Sequence, residues 1–360
     1  MRVLHVSIFL AISSFCYLMF WPVNIDPVSW TPPDNLKFEG PLAPNRRLSL
    51  VSRISLPESK APEDVAIDEN GRIYGGLDNG KIMRYEPITK TWHTFANTKG
   101  RPLGMAFDAS QNLIVCDAYK GLLSIDQKGS MIVLSTRSEG KRIGLADDVD
   151  IAKDGMIYFS DASYRHTFGN YKADALEHRP NGRLLAYDPL SKKTSTLLHD
   201  LYFANGVAVS SKQDFVLVNE TWNYRVIRYW LKGPKKGSSD IFVDKLPGFP
   251  DGVSNNGKGI FWIPLISPRD KVLDFTADKP FLRKIIMRMP DILKPAPKPH
   301  ATVLGFNELG ELMYNLQDPR GVNFSIISSA EQFGNNLYLG SLEEAAIGIY
   351  KLDNTFSSIH

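Results

Sequence analysis

Four short segments set an oxygen-bearing side chain in the same local context. Pro62-Glu63-Asp64-Val65, Ala146-Asp147-Asp148-Val149, Ala204-Asn205-Gly206-Val207 and Pro250-Asp251-Gly252-Val253 each open a strand-like run, and each carries a carboxylate or an amide second. A fifth copy, Pro102-Leu103-Gly104-Met105, has an apolar residue there. Equivalent positions meeting on one symmetry axis would gather Glu63, Asp147, Asn205 and Asp251, with three formal negative charges among them. Carboxylates packed together repel one another and rise in pKa unless a cation neutralises them. Calcium accepts roughly six to eight oxygen ligands and suits such a ring. Zinc does not, because neither histidine nor cysteine occupies any of these positions. A single Asp or Asn at a strand start more often makes a turn hydrogen bond. It is the fourfold repetition in register that favours a metal.

The elements that must position these residues follow a repeat. Val65 to Asp68 reads as a strand, Asn70-Gly71 as a turn and Arg72 to Leu77 as a strand. Asp78-Asn79-Gly80 then turns the chain into Lys81 to Glu86, followed by Trp92 to Phe95. Asn-Gly supplies the positive φ angles that a tight, twisted hairpin needs. Four strands in about 40 residues match one propeller blade. Further blades begin near Leu103, Asp147, Asn205 and Asp251, and a last one near Ile326. That last blade lacks a fourth strand, which Leu48 to Leu56 can supply by closing the ring. The expected fold is therefore all-β, a six-bladed β-propeller over residues 47–360. Two insertions interrupt it. Residues 164–181 lengthen a hairpin of blade three, and residues 267–299 place a helical stretch in blade five. In the latter Phe281, Leu282, Ile285, Ile286 and Met289 share a face, with Arg283, Lys284 and Arg288 off it. Packing on one end of the propeller, closing over the channel mouth as a lid and resting on a membrane are its three readings.

Composition narrows the function classes. Net charge is +3, from 42 basic and 39 acidic residues, which argues against a nucleic-acid partner. The two cysteines, Cys16 and Cys116, leave no pair within the globular part, so neither a disulfide framework nor a cysteine metal site is expected. No charged residue occurs from Val3 to Trp21. A stretch of that length can cross a bilayer core of ~30 Å, with Arg2 as a positive-inside signal. Ser14 and Cys16 would serve a signal-peptide cleavage site, but the apolar run continues through Trp21. The expectation is a retained transmembrane signal anchor at residues 1–21, with the globular part on the non-cytosolic side. A proline-punctuated stalk at residues 22–46 would hold the propeller off the membrane. Asn219 and Asn323 lie in Asn-x-Ser/Thr sequons.

Several stretches carry a resemblance. Arg101-Pro102-Leu103-Gly104, Cys116-Asp117-Ala118-Tyr119-Lys120-Gly121-Leu122, Tyr158-Phe159-Ser160-Asp161-Ala162-Ser163, Glu220-Thr221-x-x-x-Arg225 and Leu246-Pro247-Gly248-Phe249-Pro250-Asp251 resemble the strictosidine synthase-like branch of the six-bladed calcium propellers. That superfamily also includes paraoxonase and gluconolactonase. The N-terminal segment and Pro22-Val23-Asn24-Ile25-Asp26-Pro27 resemble the adipocyte plasma membrane-associated proteins and their bacterial relatives. The resemblance implies a metal held by a first-blade Glu, by Asn residues of the middle blades and by a fifth-blade Asp. Glu63, Asn205 and Asp251 match, and Asp147 stands where an Asn is usual. Gly252 follows Asp251 where the relatives carry Asn.

The resemblance does not carry the catalytic groups across. The strictosidine synthase Glu of blade six has no counterpart in Ser325-Ile326-Ile327-Ser328-Ser329-Ala330, and Glu331 falls out of register. The paraoxonase-like His of blade two is replaced by Leu103. The leading expectation is a membrane-anchored, calcium-dependent hydrolase of small aryl esters or lactones (arylesterase- or lactonase-like). In it Asp251 or Asp147 would orient the attacking water, or Asp251 would act as nucleophile. His166 and Tyr164 would be loop residues near the channel mouth. A non-catalytic, calcium-stabilised binding propeller and an amine–aldehyde condensing enzyme are the alternatives.

Overall fold

A computed structural model describes residues 2–352, so the outer domain limits at Met1 and His360 lie outside the described residues. Six antiparallel sheets, five of four strands and one of five, succeed one another around a central channel. Blade one comprises Val65–Ile67, Ile73–Gly76, Lys81–Glu86 and Thr91–Asn97, and blade four Ala204–Val209, Phe215–Glu220, Arg225–Trp230 and Ser239–Val243. The inner strands of blade four are fully buried and mostly apolar: every residue of Ala204–Val209 and Phe215–Glu220 is buried, the polar ones being Asn205, Asn219 and Glu220. Outer strands such as Met131–Ser135 are mostly exposed, as an edge facing water allows. The core lies between blades, as where Ile114 and Cys116 of blade two meet Phe159 and Leu185 of blade three.

The ring closes as the sequence suggests, by a shorter element than expected. Arg47–Leu50 forms a 3-10 turn, and only Ser52–Ser55 is strand. It pairs antiparallel with Ala346–Lys351, with Ile54 opposite Ile347, and completes blade six.

The two insertions carry the helices of the propeller's upper face. In the first, a 3-10 turn leads into helix α2 (Tyr171–Glu177). The second holds α3 (Lys271–Phe275) and α4 (Pro280–Arg288). The apolar face expected of α4 is redistributed. Phe281 is exposed, whereas Arg283 is buried because its guanidinium donates to the carbonyls of Thr276, Ala277, Val28 and Leu176. That knot ties α2, α3, α4 and the N-terminal segment together.

Residues 22–46 lie along the propeller instead of standing clear of it. Val28 N–H donates to Glu177 O and Trp30 N–H to Ala277 O, while Trp30 stacks on His178 at 3.7 Å. Farther on, Asn315 donates to Pro41 O and Ala43 O. The segment before it forms helix α1 (Arg2–Phe20). The single-pass anchor expected there is overturned: among the described residues no helix is long and apolar enough to cross a membrane. His5, Ser7, Ser13 and Ser14 interrupt the apolar run. The carbonyls of Leu18 and Trp21, at the helix end, are taken by the buried Arg288 of α4, which fastens that end to protein. The non-cytosolic placement rested on that anchor and falls with it.

Candidate functional site at the upper channel mouth

Four of the blades start with a local irregularity that aims the second residue of the segment. The pairing register slips between Pro102 and Met105, between Ala146 and Val149, between Ala204 and Val207 and between Ile327 and Ala330. A bulge of this kind re-aims side chains at a strand end. Here it separates two consecutive residues by task. The first turns towards the upper cavity and the next reaches sideways to the neighbouring blade. Asp64 Oδ2 accepts from Met105 N at 2.8 Å, and Asp148 Oδ2 accepts from Val207 N at 2.8 Å. These second acids are clamps between blades. The same closeness explains two glycines. A Cβ on Gly104 would lie 2.3 Å from Asp148 Oδ1, and one on Gly252 would lie 2.7 Å from Ser328 O. The position of Gly252, where the resemblance implies Asn, has no room for a side chain in this chain.

Glu63, Asp147, Asn205 and Asp251 all line one cavity of about 250 Å³ at the upper mouth. All four are buried. Asn205 Nδ2 donates to Asp251 Oδ1 at 2.5 Å. Asn219, fully buried, donates to the carbonyls of Asp251 and Gly252 and so fixes the start of blade five. That burial also closes its sequon to a glycan in the folded protein. Leu103, the fifth copy, points into the apolar core.

Electrostatics marks the cluster. Burial raises the Glu63 carboxyl to about 7, opposed by the Arg101 guanidinium and reinforced by Asp64. Arg101 Nη2 stands 3.6 Å from Glu63 Oε2, within Coulomb reach but not as a hydrogen bond. Burial pushes Asp147 well above the usual range, and Glu63 and Asp251 add to it. Asp251 rises through burial and Glu63, while the Asn205 hydrogen bond pulls the other way. Two oxygens, Glu63 Oε2 and Asp251 Oδ2, are buried without a hydrogen-bond partner. Orphaned carboxylate oxygens on an all-oxygen donor set fit a hard cation. Among the described residues, however, no three His, Cys, Asp or Glu side chains form a group that could hold a metal unaided. A bound ion would need the Asn205 carbonyl and water as well.

Other expected residues fall elsewhere. His166 is buried and its Nε2 pairs with Glu177 Oε2 at 2.8 Å, away from the cavity lining. Tyr164 lies over Lys141 at 3.8 Å. Glu331 lines a second cavity of about 220 Å³ deeper in the channel, together with Asp64, Asp148 and Asp150. The upper cavity includes residues that sequence reasoning passed over: Phe168 and Tyr171 from the first insertion, Arg101, Trp222, and Glu343 from blade six. The motif Arg101-Pro102-Leu103-Gly104 was the one available signal for Arg101. Nothing local marks the others.

Comparison with known proteins agrees with this architecture. The strictosidine synthase family profile matches residues 147–234, and the strictosidine synthase-like N-terminal profile matches residues 40–85. Strictosidine synthase-like protein 10 of Arabidopsis thaliana is 33% identical over 327 residues, spanning 83% of this chain and 87% of that one. Adipocyte plasma membrane-associated protein of Rattus norvegicus is 32% identical over 370 residues, spanning 96% and 98%. Among solved structures, a gluconolactonase of Xanthomonas campestris superimposes with a TM-score of 0.61 at 17% identity, over 93% of this chain and 99% of that one. A calcium-binding regucalcin of Agrobacterium tumefaciens superimposes with a TM-score of 0.58 at 11% identity, over 85% and 97%. The two structural likenesses speak for the six-bladed fold. Identity sustained along almost the whole length speaks for descent, and the chain belongs to the strictosidine synthase-like family, with the adipocyte plasma membrane-associated proteins among its relatives.

Proposed function

We propose that this propeller hydrolyses small esters or lactones at a calcium ion held by Glu63, Asp147, Asn205 and Asp251. The observation that carries the reading is the pair of orphaned buried oxygens, Glu63 Oε2 and Asp251 Oδ2, at one end of a cavity open to a small molecule. A gluconolactonase and a calcium-binding regucalcin among the fold neighbours are consistent with it. Calcium, when bound, would polarise the ester carbonyl and stabilise the oxyanion formed on attack. The chain's own residues do the rest. Arg101, held by Ala61 O at 3.0 Å, keeps positive charge beside Glu63. Asp147, the other acid of the cluster, would orient a water, take its proton and return it to the leaving alkoxide. Phe168, Tyr171 and Trp222 wall the cavity and limit the water that competes for those charges.

A second reading rests on a different observation. The cavity lining contains no histidine, serine or cysteine, so the side chains most used as base or nucleophile are missing. This favours a calcium-stabilised propeller that binds a small molecule without converting it. The condensing-enzyme alternative cannot use Glu331 in the upper cavity, since it lines the deeper channel cavity, and is left with Glu343 of blade six.

One experiment separates the readings. A panel of aryl esters and lactones is offered to the purified chain with calcium and with chelator, and Asp251→Ala and Glu63→Gln are run alongside. The proposal expects turnover that chelation abolishes and calcium restores, and a loss of at least about 100-fold in Asp251→Ala. Melting that shifts with calcium, with no turnover of any substrate, would replace it by the binding propeller.

A further inference from the structure

Beside the upper cavity lies a smaller side pocket. It measures about 60 Å³ and shares Tyr171, Trp222, Ile266 and Pro297 with the cavity above the carboxylates. Beyond that shared doorway its walls are supplied by both insertions, including Leu176 of α2 and Leu273 of α3. Several polar groups on those walls are committed elsewhere, those of Lys172 and Tyr171 excepted. Asp270 accepts from Val272 N and Leu273 N as the cap of α3, Lys294 pairs with Asp291, and Ser267 Oγ donates to Pro268 O. A ligand group entering there meets carbon almost throughout.

We infer that this pocket receives the acyl arm of the substrate, and that the arm is a short alkyl chain. The inference rests on the proposed hydrolysis for its chemistry and on the shared doorway for its geometry. Because Tyr171, Trp222, Ile266 and Pro297 border both cavities, a substrate carbonyl at the carboxylate end can send one substituent along Tyr171 and Trp222 into the side pocket. Size then selects. A cavity that holds a benzene ring measures about 150 Å³. A pocket of about 60 Å³ is less than half of that, too small for an aromatic ring and suited to a chain of about two or three carbons beyond the carbonyl. The substrate class is therefore short-chain aliphatic esters, propionyl to butyryl, in preference to benzoyl or long-chain esters.

The test compares kcat/KM for 4-nitrophenyl esters from acetate to octanoate, and for the benzoate, on the full chain with calcium. Each added methylene up to butyrate is expected to raise kcat/KM about fourfold, as full burial of a CH2 allows, and longer chains and benzoate to fall back. Filling the pocket by Ala296→Leu, or by Ala175→Leu should the first fail to fold, is expected to bring the butyrate-to-acetate ratio to within about twofold of unity. Both alanines line the side pocket and neither lines the larger cavity. A flat chain-length profile in the wild type, or a ratio unmoved by both fillings, overturns the assignment. Binding of unreactive methyl alkyl ketones, read by ligand-observed NMR, separates this from failure of the hydrolysis itself. Affinity that rises to a three-carbon arm and drops on filling supports the pocket even if no ester is cleaved. Affinity independent of the arm overturns it.

Discussion

His178 shows what a single buried base does to this protein. It caps α2 in the left-handed conformation with φ of 50°, stacks between Trp30 and Tyr202, and is buried. Burial, with Arg283 nearby, lowers its pKa from 6.5 to about 3, against a hydrogen bond involving Asn223. The unfolded chain therefore binds a proton below pH 6.5 that the folded chain refuses. Stability from this group is complete above pH 6.5 and declines as pH falls towards about 3, by up to roughly 1.4 kcal/mol per pH unit. His178→Phe keeps a ring against Trp30 and removes the titration. Urea unfolding of the two proteins between pH 7 and pH 4 is expected to show the variant's stability declining less steeply, by the equivalent of about one proton. Parallel pH slopes would refute the assignment. At this scale the gathering of Glu63, Asp147, Asn205 and Asp251 at one cavity was legible, because a repeat compares each with its equivalents. Arg101, Tyr171 and Glu343 were harder, since their place in the cavity depends on insertions and blade-to-blade approach, which no local pattern records.

At the scale of elements, the upper face is a construction of loops held by one cation. Arg283 gives four hydrogen bonds to carbonyls of α2, the α3–α4 connection and the N-terminal segment. Replacing it by Met fills the volume but leaves buried carbonyls unpaired, at a cost of about 1–3 kcal/mol for each group left dry. Local release is the expected outcome. Limited proteolysis of Arg283→Met should cut within residues 22–46 at least tenfold faster than wild type while the blades remain resistant. Cleavage that stays slow would show the segment to be held by Trp30 and Asn315 instead. The amphipathic reading of α4 went astray for the same reason. A helical stripe assigns Arg283 to solvent, and only the tertiary carbonyl cluster makes its burial favourable. The strands fared better, because alternation, turn residues and blade length are local signals that agree with one another. The N-terminal run shows the converse: uncharged length suggested a span, and it could not reveal that Arg288 occupies the carbonyls at the helix end.

At the scale of the whole molecule, the ring is fastened by one short strand. Ser52–Ser55 pairs with Ala346–Lys351 and joins segments nearly 300 residues apart. Proline at Ile54 removes a backbone N–H and stiffens φ within that ladder. Ile54→Pro is expected to lower the melting temperature by several degrees and to broaden the transition. An unchanged, sharp transition would mean that the contacts between the inner strands of neighbouring blades suffice. The same fastening has a consequence for biosynthesis. A chain emerging from the ribosome can assemble blades one to five in order, but Ser52–Ser55 waits for Ala346–Lys351 to be translated. Until that strand is made the nascent protein is an open arc with two uncovered blade faces, exposed to chaperones and to misassociation.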